Sequence, residues 1–159
     1  MIRQRKAFSM VTSIFVIVIM ATVGILVMSI TGKTIKETTS QYRKEQAVLL
    51  AKSYTEFAIM AVTANDRESE CIENIGGNNI IDNDSNGKGY QVDGRIYYIG
   101  KDSTAHLVGN CANTRILDSN VQTDGSDLQI IVDVYVKYKE LDNTDADWIT
   151  YHRRTLQKI

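Results

Sequence analysis

The sequence predicts an α+β protein in which one long amino-terminal helix packs against a small antiparallel β-sheet head. Three features predict this fold class. Residues 7–32 are predominantly apolar and carry no charge, and residues 33–64 continue with apolar positions three and four apart. Residues 65–159 instead alternate apolar and polar positions between turn-forming segments. The first two patterns are typical of a helix, and the third is typical of half-buried strands.

A single helix is expected over residues 8–64, because the chain contains no proline that would stop it. Its first half, residues 8–32, lies in a charge-free run of about 39 Å, which is enough to cross a hydrocarbon core of roughly 30 Å. Its second half, residues 33–64, is amphipathic and is expected to pack on the head. The apolar stripe of this half comprises Ala47, Leu50, Tyr54, Phe57 and Ala61, widened by Leu49, Ala58 and Val62.

The apolar run follows a short basic leader, residues 1–7, which contains Arg3, Arg5 and Lys6. A secretory signal has an apolar stretch of only about 7–15 residues, followed by a cleavage site of the A-x-A type. The run here is longer and has no such site behind it, so it is expected to remain in the mature protein as a transmembrane helix. The basic leader predicts a cytoplasmic amino terminus, with the head on the outer side of the membrane.

The head, residues 65–159, is expected to be rich in β-structure. Residues 74–89 are dominated by Asn, Gly and Asp and are predicted to form a loop. Behind them a hairpin is predicted from strands 90–92 and 95–99, because Asp93-Gly94 between the strands suits a type I′ turn.

Three further strands are predicted, over residues 121–123, 128–138 and 148–156. A turn at Asp124-Gly125 follows the first of them, and a loop over 140–147 precedes the last. The strand 128–138 has the clearest alternation, with one apolar face that is expected to lie on the helix. That face comprises Leu128, Ile130, Val132, Val134, Val136 and Tyr138.

The carboxy-terminal residues 151–159 are basic and contain no acidic residue. They are interpreted as an edge strand whose charges discourage aggregation, or as a partner for the acidic region 66–84. Contact with nucleic acid is a further alternative, since arginine binds phosphate well. The chain as a whole carries 18 Lys and Arg against 19 Asp and Glu, so no nucleic-acid partner is expected from its net charge.

The two cysteines, Cys71 and Cys111, both lie in the head. On the outer side of a membrane they are expected to form a disulfide, the alternative being two unpaired thiols in the core. Two cysteines alone cannot complete a four-ligand zinc site. His106 and His152 fall in no metal-ligand spacing, and no nucleophile or phosphate-loop motif is found, so the protein is expected not to be an enzyme.

One segment fits the opening of an EF-hand calcium loop. Residues 82–93 follow the pattern D-x-[DN]-x-[DN]-G and end on an acidic residue. The candidate calcium ligands are Asp82, Asp84, Asn86, Lys88 and Asp93. No helices flank this segment, and Asn, Asp and Gly also crowd ordinary turns, so the favoured expectation is a turn without a cofactor.

The junction Arg5-Lys6-Ala7-Phe8 resembles the class III signal of type IV pilins and type II secretion pseudopilins. The resemblance covers roughly residues 3–32, and the helix-plus-sheet plan is similar to the pilin fold. It implies that prepilin peptidase cleaves between Ala7 and Phe8 and that the new amino terminus at Phe8 is methylated. The chain departs from the family's pattern at the residue before the cut, which is Ala7 where Gly is usual, and at Thr12, where the family usually has a glutamate.

The resemblance implies a structural subunit of a type IV filament or type II secretion machine, and the absence of the glutamate at Thr12 implies a minor one. Its partners would be prepilin peptidase, other pilin or pseudopilin subunits and the bacterial inner membrane. The head would lie in the periplasm, and the processed subunit would then join the pilus or pseudopilus. The alternative is a single-pass, membrane-anchored periplasmic binding or sensory domain that does not polymerise.

Overall fold

A computed structural model describes residues 5–66, 69–81, 89–101, 105–121, 125–126, 128–141 and 145–159, with side chains from Met10 onward. Its elements are α1 (Arg5–Ala64), β1 (Asn74–Ile80), β2 (Tyr90–Gly100), β3 (Ile116–Asp118), β4 (Leu128–Tyr138) and β5 (Ile149–Lys158). One long helix and a small, largely antiparallel sheet confirm the α+β layout. Contacts within the chain divide it into two units, Met1–Tyr42 and Arg43–Ile159.

The sheet has the strand order β1-β2-β4-β5, and all three of these pairings are antiparallel. The short strand β3 lies parallel to the end of β2, with Tyr98 opposite Ile116. Strands β2 and β4 are therefore central, and β5 forms one border of the sheet. The central pair is in unbroken register from Gln91 opposite Lys137 to Gly100 opposite Leu128.

One hydrophobic core lies between the carboxy-terminal part of α1 and one face of the sheet. The expected apolar face of β4 is confirmed, since all six of its side chains are buried. Apart from Arg43, the side chains that the helix buries in this core are all small. These buried positions are Ala47, Ala51, Thr55, Ala58 and Val62. The Thr55 hydroxyl donates to the Ala51 carbonyl at 2.7 Å, so its polar group is satisfied inside the core.

The predicted helical stripe is wrong for two of its members. Leu49 and Phe57 are exposed, whereas Arg43, Ala51 and Thr55 are buried. The stripe was predicted from apolar character alone, and this criterion favoured large side chains such as Leu49 and Phe57. The contact with the sheet instead follows the positions where small side chains recur every three or four residues.

The hairpin predicted at Asp93-Gly94 is also wrong, because β2 runs through both residues without a turn. A Cβ atom at Gly94 would lie 2.6 Å from Cγ1 of Ile75 on the neighbouring strand. Glycine is therefore required at this position so that Ile75 can pack across β1 and β2. Glycine favours turns, but it also occurs within sheets where a neighbouring strand leaves no room for a side chain.

The loop predicted over 74–89 is wrong for its first part, since Asn74–Ile80 forms β1. Pairing with β2 brings Gly76 so close that a Cβ there would lie 2.5 Å from the Val92 carbonyl oxygen. The Asn- and Gly-rich composition thus belongs to a strand whose hydrogen bonds come from its neighbour. Of the strand predicted over 121–123, Val121 lies outside any strand and the rest lies outside the described residues.

Candidate functional site: the apolar helix segment and the outer sheet face

Within the first unit, α1 presents large apolar side chains to its surroundings on every side. Exposure reaches 80% at Met28 and is at least 49% at every other member of this set. They comprise Met10, Val11, Ile14, Phe15, Val16, Ile17, Val18, Ile19, Met20, Val23, Ile25, Leu26, Val27 and Ile30. This part of α1 is long and apolar enough to span a membrane.

The threonines of this segment are compatible with an apolar environment. The Thr22 hydroxyl donates to the Ile19 carbonyl at 2.8 Å, and the Thr31 hydroxyl donates to the Val27 carbonyl at 2.9 Å. In hydrocarbon a polar group must find its partner within the protein. These two hydroxyls do so within their own helix.

The residues singled out near the amino terminus all belong to α1. Ala7 and Phe8 lie within its first turns, where the structure describes the backbone, and Thr12 is an exposed helical position in the next turn. Their helical backbone continues the apolar segment without interruption. Cleavage and methylation at Ala7 and Phe8 stay predictions.

Cys71 and Cys111 form a disulfide, with their Cα atoms 5.1 Å apart. The bridge links the segment between α1 and β1 to the segment between β2 and β3. Glu73 supports the same connection, because its Oε1 accepts a hydrogen bond from the Ala112 backbone N–H at 2.6 Å. With a sequence separation of 40 between the cysteines, loop closure stabilises the fold by about 4 kcal/mol on the chain-entropy model.

Four of the candidate calcium ligands, Asp82, Asp84, Asn86 and Lys88, lie outside the described residues. Asp93 lies in β2, where its carboxylate Oδ2 is 3.0 Å from Nη2 of Arg95. Among the described residues, no group of three or more His, Cys, Asp or Glu side chains could hold a metal ion. Calcium binding by the 82–93 loop stays a prediction.

The outer face of the sheet, turned away from α1, carries a buried carboxylate. Cross-strand register places Asp133 of β4 between Arg95 on β2 and Arg154 on β5. Asp133 is only 1% exposed. Its Oδ1 is 2.7 Å from Nε of Arg154 and 3.0 Å from Nε2 of His152, and its Oδ2 is 2.6 Å from Nη2 of Arg154. The guanidinium thus binds the carboxylate through two parallel hydrogen bonds.

This geometry keeps Asp133 ionised. The hydrogen bonds from Arg154 lower the pKa of Asp133; burial opposes them, and the hydrogen bond with His152 lowers the pKa further. The same contact raises the pKa of Arg154 above its already high ordinary value. A carboxylate held in this way is a poor proton donor at neutral pH, so its evident role is to join β4 to β5.

Tyr135 and Arg95 lie next to Asp133, His152 and Arg154 on this face of the sheet. His152 stacks on Tyr135 with ring centroids 4.4 Å apart, and the Arg95 guanidinium lies 5.3 Å from the centroid of the Tyr135 ring. The hydrogen bonds that Arg95 donates to the Asp93 carboxylate raise the pKa of Arg95. We call Asp133, Tyr135, His152, Arg154 and Arg95 the outer-face cluster.

Sequence reasoning did not find the outer-face cluster. It recognised His152 and the neighbouring arginines as part of a basic strand and gave no role to Asp133. The signal that was missing is the register between strands, which a single sequence does not contain. The only hint in the sequence is that His152 and Arg154 lie two residues apart on one strand, while Asp133 is the only acidic residue of another.

A second cation is enclosed in the second unit, at the first residue of its helical part. Arg43 is 5% exposed, and its guanidinium carbon lies 4.9 Å from the Tyr90 ring centroid and 5.8 Å from that of Tyr138. The Tyr90 hydroxyl is 2.8 Å from Oε1 of Gln46, and burial raises the pKa of Tyr138. Cation–π contact with two rings explains how this arginine replaces an apolar residue on the buried face of the helix.

No family model matches the chain, and no curated protein or solved structure matches it significantly. Resemblance to a family therefore rests on the residues at the amino terminus. The helix-plus-sheet architecture is a second, independent observation.

Proposed function

We propose that this protein is a minor pilin or pseudopilin, a structural subunit of a type IV filament or type II secretion machine. The observation that carries the proposal is the exposed apolar segment of α1, which begins directly behind a basic leader and belongs to the same helix that packs on a small sheet. An exposed apolar surface of this size is stable only in lipid or against other apolar helices. The apolar segment of a pilin-like subunit would be covered by lipid before assembly and by the helices of other subunits in the filament core afterwards.

The basic leader supports an inner-membrane location with the amino terminus in the cytoplasm. The head would then lie in the periplasm, where the oxidising environment favours the disulfide between Cys71 and Cys111. Prepilin peptidase would act on the cytoplasmic side, between Ala7 and Phe8. The partners would be other pilin or pseudopilin subunits.

Thr12 supports a minor role. A carboxylate at this position would neutralise the amino terminus of the neighbouring subunit, and an uncompensated charge within an apolar core is strongly unfavourable. A threonine hydroxyl cannot supply that compensation. The apolar helix still favours joining the bundle, so incorporation at low copy, at the tip or as a primer of assembly, is the arrangement we infer.

Intact-mass measurement tests the processing step. Protein purified from membranes of cells with an active prepilin peptidase should begin at Phe8 and carry one added methyl group. The variant Ala7→Gly restores the residue that the family usually has and should be processed equally, whereas Ala7→Phe should keep residues 1–7. If Met1 is retained in the unsubstituted protein, the anchored periplasmic domain that does not polymerise becomes the better account.

Quantitative mass spectrometry of sheared filaments tests the minor role separately. The chain should be present at a small fraction of the major subunit, and its loss should reduce filament number more than filament composition. If it is the most abundant subunit, the minor role is wrong, while the proposal of a filament subunit survives.

A further inference from the structure

Strand β5 borders the sheet, and one side of it has no strand partner among the described residues. The Ile159 backbone N–H donates to the Leu128 carbonyl at 3.0 Å, which fixes the direction of the groups before it. Because hydrogen-bonding direction alternates along a strand, Tyr151, Arg153 and Thr155 also point their backbone groups at β4. The backbone N–H and C=O groups of Thr150, His152, Arg154 and Leu156 consequently point away from the sheet.

This border is long and regular. Ten consecutive residue pairs join β4 to β5 without a register shift, from Gln129 opposite Lys158 to Tyr138 opposite Ile149. The outer-face cluster holds β5 on β4 through the two hydrogen bonds between Asp133 and Arg154. A long strand edge in unbroken register is a template for a further strand.

The charge of β5 specifies the kind of strand that fits. The strand carries His152, Arg153, Arg154 and Lys158 and no acidic residue. Arg154 is offset by Asp133, but Nε of Arg153 is buried and has no hydrogen-bond partner among the described residues. An incoming strand with acidic side chains would meet cations on both faces of β5.

A second copy of this chain is a poor occupant. Two β5 strands paired antiparallel about Arg153 would place His152 of each copy beside Arg154 of the other, and neither strand has an acidic side chain to complement the arginines of its partner. The opposite border of the sheet is irregular, with a register shift between Gly77 and Ile80 and a positive φ of 55° at Asn79. That border cannot offer a regular strand to β5.

We propose that the free edge of β5 binds an extended acidic segment of a different protein, which adds to the sheet as a sixth strand. Backbone hydrogen bonds to Thr150, His152, Arg154 and Leu156 would provide affinity. The cations of β5 would select acidic side chains at alternate positions of the partner. This inference concerns the head and does not depend on whether the protein joins a filament.

The test uses the full chain in detergent micelles and a short peptide of alternating glutamate and valine. Hydrogen exchange should slow by roughly tenfold or more at the amides of Thr150, His152, Arg154 and Leu156 on binding. The amides of Tyr151, Arg153 and Thr155, already bonded to β4, should be unchanged. A peptide with lysine in place of glutamate, and one whose backbone nitrogens are methylated, should bind at least about tenfold more weakly.

The variant Leu156→Pro removes an N–H that points away from the sheet and should abolish peptide binding, whereas Leu156→Thr keeps that N–H and should bind as the unsubstituted protein does. Thermal unfolding of both variants shows whether the head is intact, and the methylated peptide tests strand addition without any substitution. Failure of the glutamate peptide to protect the four amides overturns the proposal. Equal binding of the methylated peptide, or of a single-stranded oligonucleotide at the same amides, would show polyanion binding and would overturn it as well.

Discussion

The two parts of α1 differ in which apolar residues they use and where those residues lie. Over residues 10–30 the side chains are mostly Ile, Val, Leu and Met, and they are exposed. Over residues 43–64 the side chains buried against the sheet are mostly small, three of them alanines, while the larger Leu49, Phe57 and Met60 are exposed. Both parts belong to the same helix. The size of the side chain therefore separates a surface suited to lipid or other helices from one that packs against a β-sheet.

The largest effect is expected where the helix meets the sheet. Ala58 is 0% exposed, so Ala58→Glu would place a larger, charged side chain in the core. We expect a loss of about 4 kcal/mol or more in the free energy of unfolding, which for so small a head means loss of the folded state. Chemical unfolding of the full chain in detergent measures it.

Met60→Glu is the matched control, since Met60 lies on the exposed side of the same helix two residues later. It should change the free energy of unfolding by no more than about 0.5 kcal/mol. Equal effects of the two substitutions would show that the helix does not pack on the sheet through Ala58.

A charge in the first part of α1 should act on membrane insertion and leave the fold of the head unchanged. Ile19 lies near the middle of the uncharged run, and Ile19→Asp should disfavour insertion by about 3 kcal/mol. Carbonate extraction should then release more of the protein from membranes, while the unfolding midpoint of the head stays the same. Ile19→Ala should remain in the membrane fraction, and release of both variants alike would argue against insertion of this segment.

The smallest of these effects concerns two ion pairs of the head. The carboxylate is buried in one pair and about half exposed in the other. Asp133 is buried and its pKa is lowered, so its ionised form stabilises the fold above the ordinary value of 3.8, and this stability is lost as pH falls through the lowered pKa. Asp133→Asn should cost about 2 kcal/mol at neutral pH. That cost should shrink as the pH approaches the acid range, which unfolding measured against pH will show.

Asp93→Asn provides the comparison for this prediction. Asp93 pairs with Arg95 while about half of each side chain is exposed, so its loss should cost no more than about 0.5 kcal/mol. A larger cost for Asp93→Asn than for Asp133→Asn would contradict the argument from burial.

Much of the fold could be predicted because it depends on local patterns. The helix over residues 8–64 follows from a continuous pattern without proline, and the strand over 128–138 follows from strict alternation of apolar and polar residues. The disulfide followed from two cysteines in one head that the sequence predicts to lie on the outer side of the membrane. The hairpin at Asp93-Gly94 failed because glycine serves both turns and close contacts, and only the neighbouring Ile75 distinguishes the two.

The sequence by itself determined the uncharged membrane-length helix, the α+β class and the apolar face of β4, since each depends on residues close together in the chain. Only the tertiary structure decided that alanines form the contact with the sheet, that Asp133 is buried beneath Arg154 and His152, and that β5 keeps one edge unpaired among the described residues. For Asp133 and the β5 edge, the physical reason is strand register. A shift of one residue moves every side chain to the other face and turns every backbone group to the other edge, and no local pattern records which register is adopted.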